Sequence, residues 1–194
     1  MKNILFIASH LHSGSMGLIS VLNGNPLVKI HNTDNRYSHP SNLEKILDLS
    51  EEETTGDHLL FNSSLSSDTF YKFAKFVYVV RDARSTLNAI MEDDSIDYTY
   101  ETAMRYYSFR LRRLCEMAKR TPGAIMLTWQ NMKDKQGLDL VENYLELDDS
   151  LYIADSTFWS DDLNEVPEEF VEKAQDRYEA YLYYLKQLDL RRVE

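Results

Sequence analysis

The chain has 194 residues, 43% hydrophobic and 12% aromatic, with 32 acidic against 21 basic side chains and a formal net charge of −11. That length and apolar content suit a single globular domain over residues 1–194 and exclude a disordered chain. The acidic balance argues against a nucleic-acid partner, whose phosphates want a basic field, but leaves room for a nucleotide held by a local donor cluster. The lone Cys115 excludes an intramolecular disulfide and suits a reducing, cytoplasmic location.

In chain order, the apolar run Ile4-Leu5-Phe6-Ile7-Ala8 predicts a buried parallel strand. It carries one lysine before it and is broken by His10 and His12, too short for a signal peptide. No stretch reaches transmembrane length, so no membrane partner is expected. Ser9 to Ser15 predicts a tight loop, and Met16, Ile19 and Leu22, three apart, predict a helix. Asn23-Gly24-Asn25-Pro26 is a turn cluster, and Leu27 to Ile30 a short strand. Asn32 to Pro40 reads as loop, and Ser41-Asn42-Leu43-Glu44 has the capping-box pattern of a helix running to about Leu49. Glu51 to Asp57 reads as an acidic loop and His58 to Phe61 as a short strand. Ser66 or Ser67 caps a helix over Thr69 to Ala74.

Phe76 to Val80 is a second buried strand, followed by the charged turn Arg81-Asp82-Ala83-Arg84 and a helix to Met91. The acidic stretch Glu92 to Asp97 separates it from a long helix over Thr99 to Arg120, with Ala103, Tyr107, Leu111, Leu114 and Ala118 on its apolar face. Arg105, Arg110, Arg112, Arg113, Lys119 and Arg120 on that helix read as a solvated face, or as a face from which one arginine leans toward a ligand. Cys115 on the same helix reads as buried packing rather than a nucleophile. Thr121-Pro122-Gly123 stops the helix, and Ala124 to Thr128 is the third clear strand. A helix over Leu138 to Leu145, an irregular stretch from Tyr152 to Asp162 and a last helix opened by Pro167 complete the chain. Strands alternating with helices predict a three-layer α/β/α fold around a central parallel sheet, with ligands beyond the strands' C-terminal ends.

Ser13-Gly14-Ser15 between the first strand and helix suits an anion. Loop amides and the helix N-terminus present unpaired N–H donors and partial positive charge, Gly14 allows close approach, and the serines add hydroxyls. An ordinary serine-capped turn is the competing reading. A Walker-type loop, with its lysine after the second glycine, is absent, which argues against an ordinary ATPase or GTPase. His10 and His12 are two residues apart without a third ligand, which is weak for a metal site.

Taken together, the two strand–turn–helix stretches resemble the PAPS-dependent sulfotransferases, with a P-loop-like architecture and 3′-phosphoadenosine-5′-phosphosulfate as donor. His12-Ser13-Gly14-Ser15-Met16 stands where that family has Lys/Arg-Ser-Gly-Thr-Thr/Ser, and Arg81-Asp82-Ala83-Arg84 where it has Arg-(Asp/Asn)-Pro-Arg. The family's serine eight residues past the first arginine is Ala89 here, with Asn88 beside it. Ala124 to Met132 resembles the late strand ending in Tyr-Glu-Asp-Leu, and Tyr144 to Leu147 the closing Phe-Leu-Gly-Leu.

This resemblance, over residues 3 to 148, implies PAPS or PAP binding and sulfuryl transfer to a hydroxyl or amine on a small-molecule or glycan acceptor. It implies that Ser13 to Met16 hold the 5′-phosphosulfate and that Arg81 grips the 3′-phosphate. Asn88 would replace the missing serine, and His12, when protonated, would supply the cation on the leaving phosphate. Trp129 either stacks on adenine or packs in the core. The place of the general base falls near Asn62, which cannot act as one, leaving His58 or His10 as substitutes. The family's Arg-Lys-Gly element has no match, and Arg191-Arg192 lacks the glycine context for it. A nucleotide-binding protein that has lost the chemistry and a small-molecule kinase are the competing functions.

Overall fold

The computed structural model describes residues 3–32, 53–60, 68–133, 135–148, 151, 166–187 and 191–192. Six strands form one sheet: β1 (Asn3–Ser9), β2 (Val28–His31), β3 (Thr54–Leu59), β4 (Lys75–Val80), β5 (Ile125–Thr128) and the two-residue β6 (Arg191–Arg192). Their order across the sheet is β2-β3-β1-β4-β5-β6, and every neighbouring pair is parallel. The helices are α1 (Ser15–Asn23), α2 (Asp68–Phe73), α3 (Ala83–Glu92), α4 (Tyr100–Ala118), α5 (Trp129–Lys133), α6 (Lys135–Leu145) and α7 (Glu168–Gln187). The three-layer α/β/α fold expected from the sequence is the fold observed.

β1 from Ile4 to Ala8 and β4 from Phe76 to Val80 are continuously apolar because they lie at the centre of a sheet covered on both faces. Their side chains alternate between two cores, as the two-residue strand period requires. Phe6, Ala8, Phe76, Tyr78 and Val80 pack beneath α3, α4 and α7, whereas Leu5, Ile7, Val77 and Val79 pack against α1, α5 and α6. In the sheet, Ile7 stands level with Val77 of β4 on one side and His58 of β3 on the other.

The third strand corrects the sequence reading. Thr54 to Asp57 was expected as acidic loop and His58 to Phe61 as strand, but β3 spans Thr54–Leu59 and every residue of it is buried. Its residues are too polar to announce a buried strand. Gly56 is required there: a Cβ would sit 1.6 Å from the Leu5 carbonyl oxygen of the neighbouring strand. Asp57 turns its carboxylate to accept the His58 amide at 2.8 Å. The expected loop over Asn32 to Pro40 is described only at Asn32. The helix beginning at Ser41, the site residue Asn62 and the irregular stretch from Tyr152 to Asp162 lie outside the described residues.

The other expected elements lie within a few residues of their places, while α5 and β6 were not expected. Thr99 caps α4 by accepting the Thr102 amide, and Pro167 sits immediately before α7, its carbonyl accepting the Phe170 amide. After β1 the chain builds β2 and β3 on one side, then crosses to β4 on the other. This reversal opens a crevice beyond the C-terminal ends of β1 and β4, where open α/β sheets bind ligands.

Candidate functional site

At that crevice lies a cavity of about 390 Å³ lined by His12, Gly14, Ser15, Met16, Gly17, Arg81, Ala89, Glu92, Asp93 and Trp129. It joins the loop after β1, the turn after β4, the far end of α3 and the start of α5. The two motifs separated by some 70 residues in the sequence thus share one wall.

Backbone contacts hold the two loops together. His10 is fully buried, and its Nε2 accepts the Arg81 amide at 3.0 Å. That fixes the tautomer: Nδ1 carries the hydrogen and donates to the Leu11 carbonyl at 2.8 Å. Burial pushes the His10 pKa down to about 3, so it is a neutral structural link and not the expected substitute base. The Tyr107 ring meets the His10 ring edge to face, and its hydroxyl donates to the Arg81 carbonyl at 2.7 Å, so both backbone polar groups of Arg81 are fixed.

Gly14 caps α1 with φ of +88°, and a Cβ there would lie 2.2 Å from the Trp129 ring. The glycine therefore serves two needs, a left-handed backbone and room for the indole behind it. The amides of Gly14 and Met16 have no protein acceptor among the described residues, and no acidic side chain occupies the first turn of α1. These are the donors an anion would meet.

The serines are less available than expected. Ser13 is buried and its hydroxyl accepts the Ser15 amide at 3.4 Å. The Ser9 hydroxyl donates to Ser15 Oγ at 2.9 Å, and His58 Nε2 lies 2.7 Å from Ser9 Oγ and 3.0 Å from Ser15 Oγ. On its other side His58 Nδ1 donates to Asn32 Oδ1 at 3.2 Å. Burial pushes the His58 pKa down to about 4, helped by the Arg110 cation. His58 therefore supports Ser15 from behind and does not line the cavity.

Arg81 does line it. The guanidinium packs over the Trp129 ring at 4.3 Å from its centroid and donates from Nη1 to the His12 carbonyl at 3.2 Å. Trp129 is buried, so it packs in the core and lines the cavity at once. Asn88 is corrected: it is buried, turned from the cavity, with Oδ1 accepting the Val166 amide at 3.3 Å. Ala89 faces the cavity in the place of the resembled family's serine and offers no donor there. Arg84, the last motif residue, forms an exposed bidentate pair with Glu168 at 2.6 and 2.7 Å, away from the cavity.

Three residues were missed by the sequence reading. Glu92 and Asp93 line the cavity, and His12 Nε2 donates to Asp93 Oδ2 at 3.1 Å. His12 holds a positive φ of 55°. Burial lowers its pKa from the ordinary histidine value, against the pull of Asp93. Arg110 belongs to the arginine cluster read chiefly as a solvated face, yet it is buried and donates to the Ser9 carbonyl at 2.7 Å and to the Leu59 carbonyl. It ties the ends of β1 and β3 together beneath the loop.

No family model matches the chain, and no curated protein matches its sequence. Among solved structures, the mouse sulfotransferase SULT7A1 complexed with PAP superposes with a TM-score of 0.51 at 12% sequence identity, over 93% of this chain and 66% of that one. At that identity the likeness is one of fold, and the chain spans about two thirds of the length of the mouse protein. No described helix is long and apolar enough to cross a membrane, and the described residues hold no cluster suited to a metal ion. The fold of the chain is sulfotransferase-like.

Proposed function

We propose that this protein is an enzyme that binds PAPS and PAP and transfers the sulfuryl group to a hydroxyl or amine on a small-molecule or glycan acceptor. One observation carries the reading: the loop after β1 and the turn after β4 converge on a single cavity that offers helix N-terminal amides on one wall and the Arg81 guanidinium on another. The donor set suits the ligand's ends. Ser13 to Met16 would hold the 5′-phosphosulfate, chiefly through the Gly14 and Met16 amides, Arg81 the 3′-phosphate, and Trp129 offers an aromatic edge. The single buried Cys115, its thiol pushed up to about 12, suits a reducing, cytoplasmic setting.

A second reading has its own observation. Ala89 supplies no donor at the motif's serine place and the Glu92 and Asp93 carboxylates share the cavity, which favours a nucleotide-binding protein without chemistry. A thermal-shift panel with PAP, PAPS, ATP and sulfate tests the nucleotide. At about 100 times Kd, PAP adds about 2.7 kcal/mol of stability, and ATP less. An unchanged melting temperature with saturating PAP, alongside a rise with ATP and Mg²⁺, overturns the reading in favour of a kinase.

A further inference from the structure

The base that sulfuryl transfer needs has no obvious owner in the sequence, and the structure narrows the choice. Three histidines surround the loop after β1. His10 spends both ring nitrogens on the Leu11 carbonyl and the Arg81 amide. His58 spends both on Asn32 and on the Ser9 and Ser15 hydroxyls. His12 alone of the three lines the cavity, and its ring is engaged on one side only, by Asp93 through Nε2. Its Nδ1 has no protein partner among the described residues.

Asp93 is itself fixed. It ends α3, and its Oδ1 accepts from the Ser95 amide at 3.0 Å and the Ser95 hydroxyl at 2.5 Å, leaving Oδ2 for His12. The Ser95 hydroxyl bond is the first cause that holds the carboxyl below its usual range. An ionised carboxylate bound to Nε2–H selects the tautomer whose Nδ1 lone pair is open, the arrangement by which an aspartate readies a histidine to accept a proton.

We propose that His12 is the general base for the acceptor and that Asp93 is its positioning residue, an Asp–His pair shared by the loop after β1 and the end of α3. The inference rests on the sulfuryl-transfer reading above. His12 Nδ1 takes the acceptor's proton as the acceptor oxygen or nitrogen bonds to sulfur. The electron pair of the broken S–O bond stays on the leaving 5′-phosphate, and the histidinium later returns its proton to solvent. His12 thus differs from the lysine or arginine of the resembled loop, which serves as a permanent cation. The groups that face its titration are Asp93 and Glu92 from α3, which favour the charged ring, and Arg81 after β4 and burial, which oppose it. His10 on the same loop is neutral.

Two measurements test this. NMR titration of the His12 ring in the free wild-type protein and in Asp93→Asn reads the tautomer and the proton affinity without any turnover. In the variant, His12 should lose the Nε2–H preference and titrate at lower pH. Profiles of kcat/KM against pH, with PAPS and a panel of hydroxyl and amine acceptors, should rise through the wild-type His12 titration to a plateau. His12→Ala should lower the plateau about 10²–10⁴-fold, and Asp93→Asn about 10–10³-fold with the rising limb moved to lower pH. A profile that falls as His12 loses its proton overturns the base and restores the cation. An identical His12 titration in Asp93→Asn overturns the positioning role. Absence of turnover with every acceptor while PAP still stabilises the fold rejects sulfuryl transfer and the base with it, and the NMR arm still reports whether Asp93 holds the ring.

Discussion

Gly14→Ala probes the loop most directly, because two separable costs meet at one atom. The backbone there has φ of +88°, and left-handed backbone costs an alanine about 1–2 kcal/mol. The new methyl would stand 2.2 Å from Cε3 and Cζ3 of Trp129, so the indole must move within a packed wall, an overpacking cost of about 1–3 kcal/mol. Against these, alanine narrows the unfolded ensemble and returns about 0.4–1 kcal/mol. The net loss is about 1–4.5 kcal/mol, and for a chain of this size each kcal/mol lowers Tm by roughly 2–4 °C. Urea unfolding of wild type, Gly14→Ala, Trp129→Leu and the double variant separates the terms. With the indole gone, the backbone cost and a small adjustment of the Met132 methyl, 2.9 Å from the new Cβ, should remain, so the cycle should show about 1–3 kcal/mol of favourable coupling. A Gly14→Ala loss that is the same in both backgrounds would refute the steric half, and no loss in either would refute the loop geometry altogether.

Two other outcomes are expected. Arg81→Ala should weaken PAP by about 1.5–3 kcal/mol, the worth of a hydrogen bond to a charged group, and should weaken a nucleotide without the 3′-phosphate far less; calorimetric titration of both ligands checks this, and equal losses would make Arg81 a structural residue only. Stability should also fall in acid through His10 and His58, whose folded-state pKa values are depressed to about 3 and about 4. A depressed histidine contributes stability fully present above its unfolded pKa of about 6.5 and lost as the pH falls toward the folded value, so near pH 5 the two together give a slope of about 2.5 kcal/mol per pH unit. Denaturant unfolding at pH 5, 6 and 7.5 measures it, and equal stability at all three would contradict the buried, neutral state of both rings.

What the sequence disclosed follows from which signals burial leaves in a chain. β1 and β4 stand out as continuous apolar runs because they are covered on both faces, and the turns after them stand out because both carry polar, loop-forming residues. β3 is buried just as fully, yet it is built from Thr54, Thr55, Asp57 and His58, whose polar groups find partners such as the Lys29 carbonyl and the Ser9 and Ser15 hydroxyls only in the folded chain, so no hydrophobic pattern betrays the strand. Side-chain direction was the other blind spot. Asn88 and Ala89 are adjacent on α3, a helix step of about 100° apart, so one turns to Val166 and the other to the cavity. Asp93 was read as part of an acidic break, since nothing local ties a carboxylate to a histidine 81 residues earlier. Arg110 hid within a run of arginines that otherwise form helix-surface pairs such as Arg105 with Glu101.

Arg110 also bears on when the site comes into being. Its guanidinium bonds to the Ser9 carbonyl, 101 residues away, and to the Leu59 carbonyl, 51 residues away. Neither strand end has this brace until α4 has docked, and closing loops of that length is among the slower steps of assembling a parallel sheet. A nascent chain that has made only β1, α1 and the strands beside them would carry the whole first motif and still lack the brace that shapes it. Under the proposed function, recognition of the nucleotide would therefore belong to the completed fold, and the ligand would reward folding only after the middle of the chain has found its place.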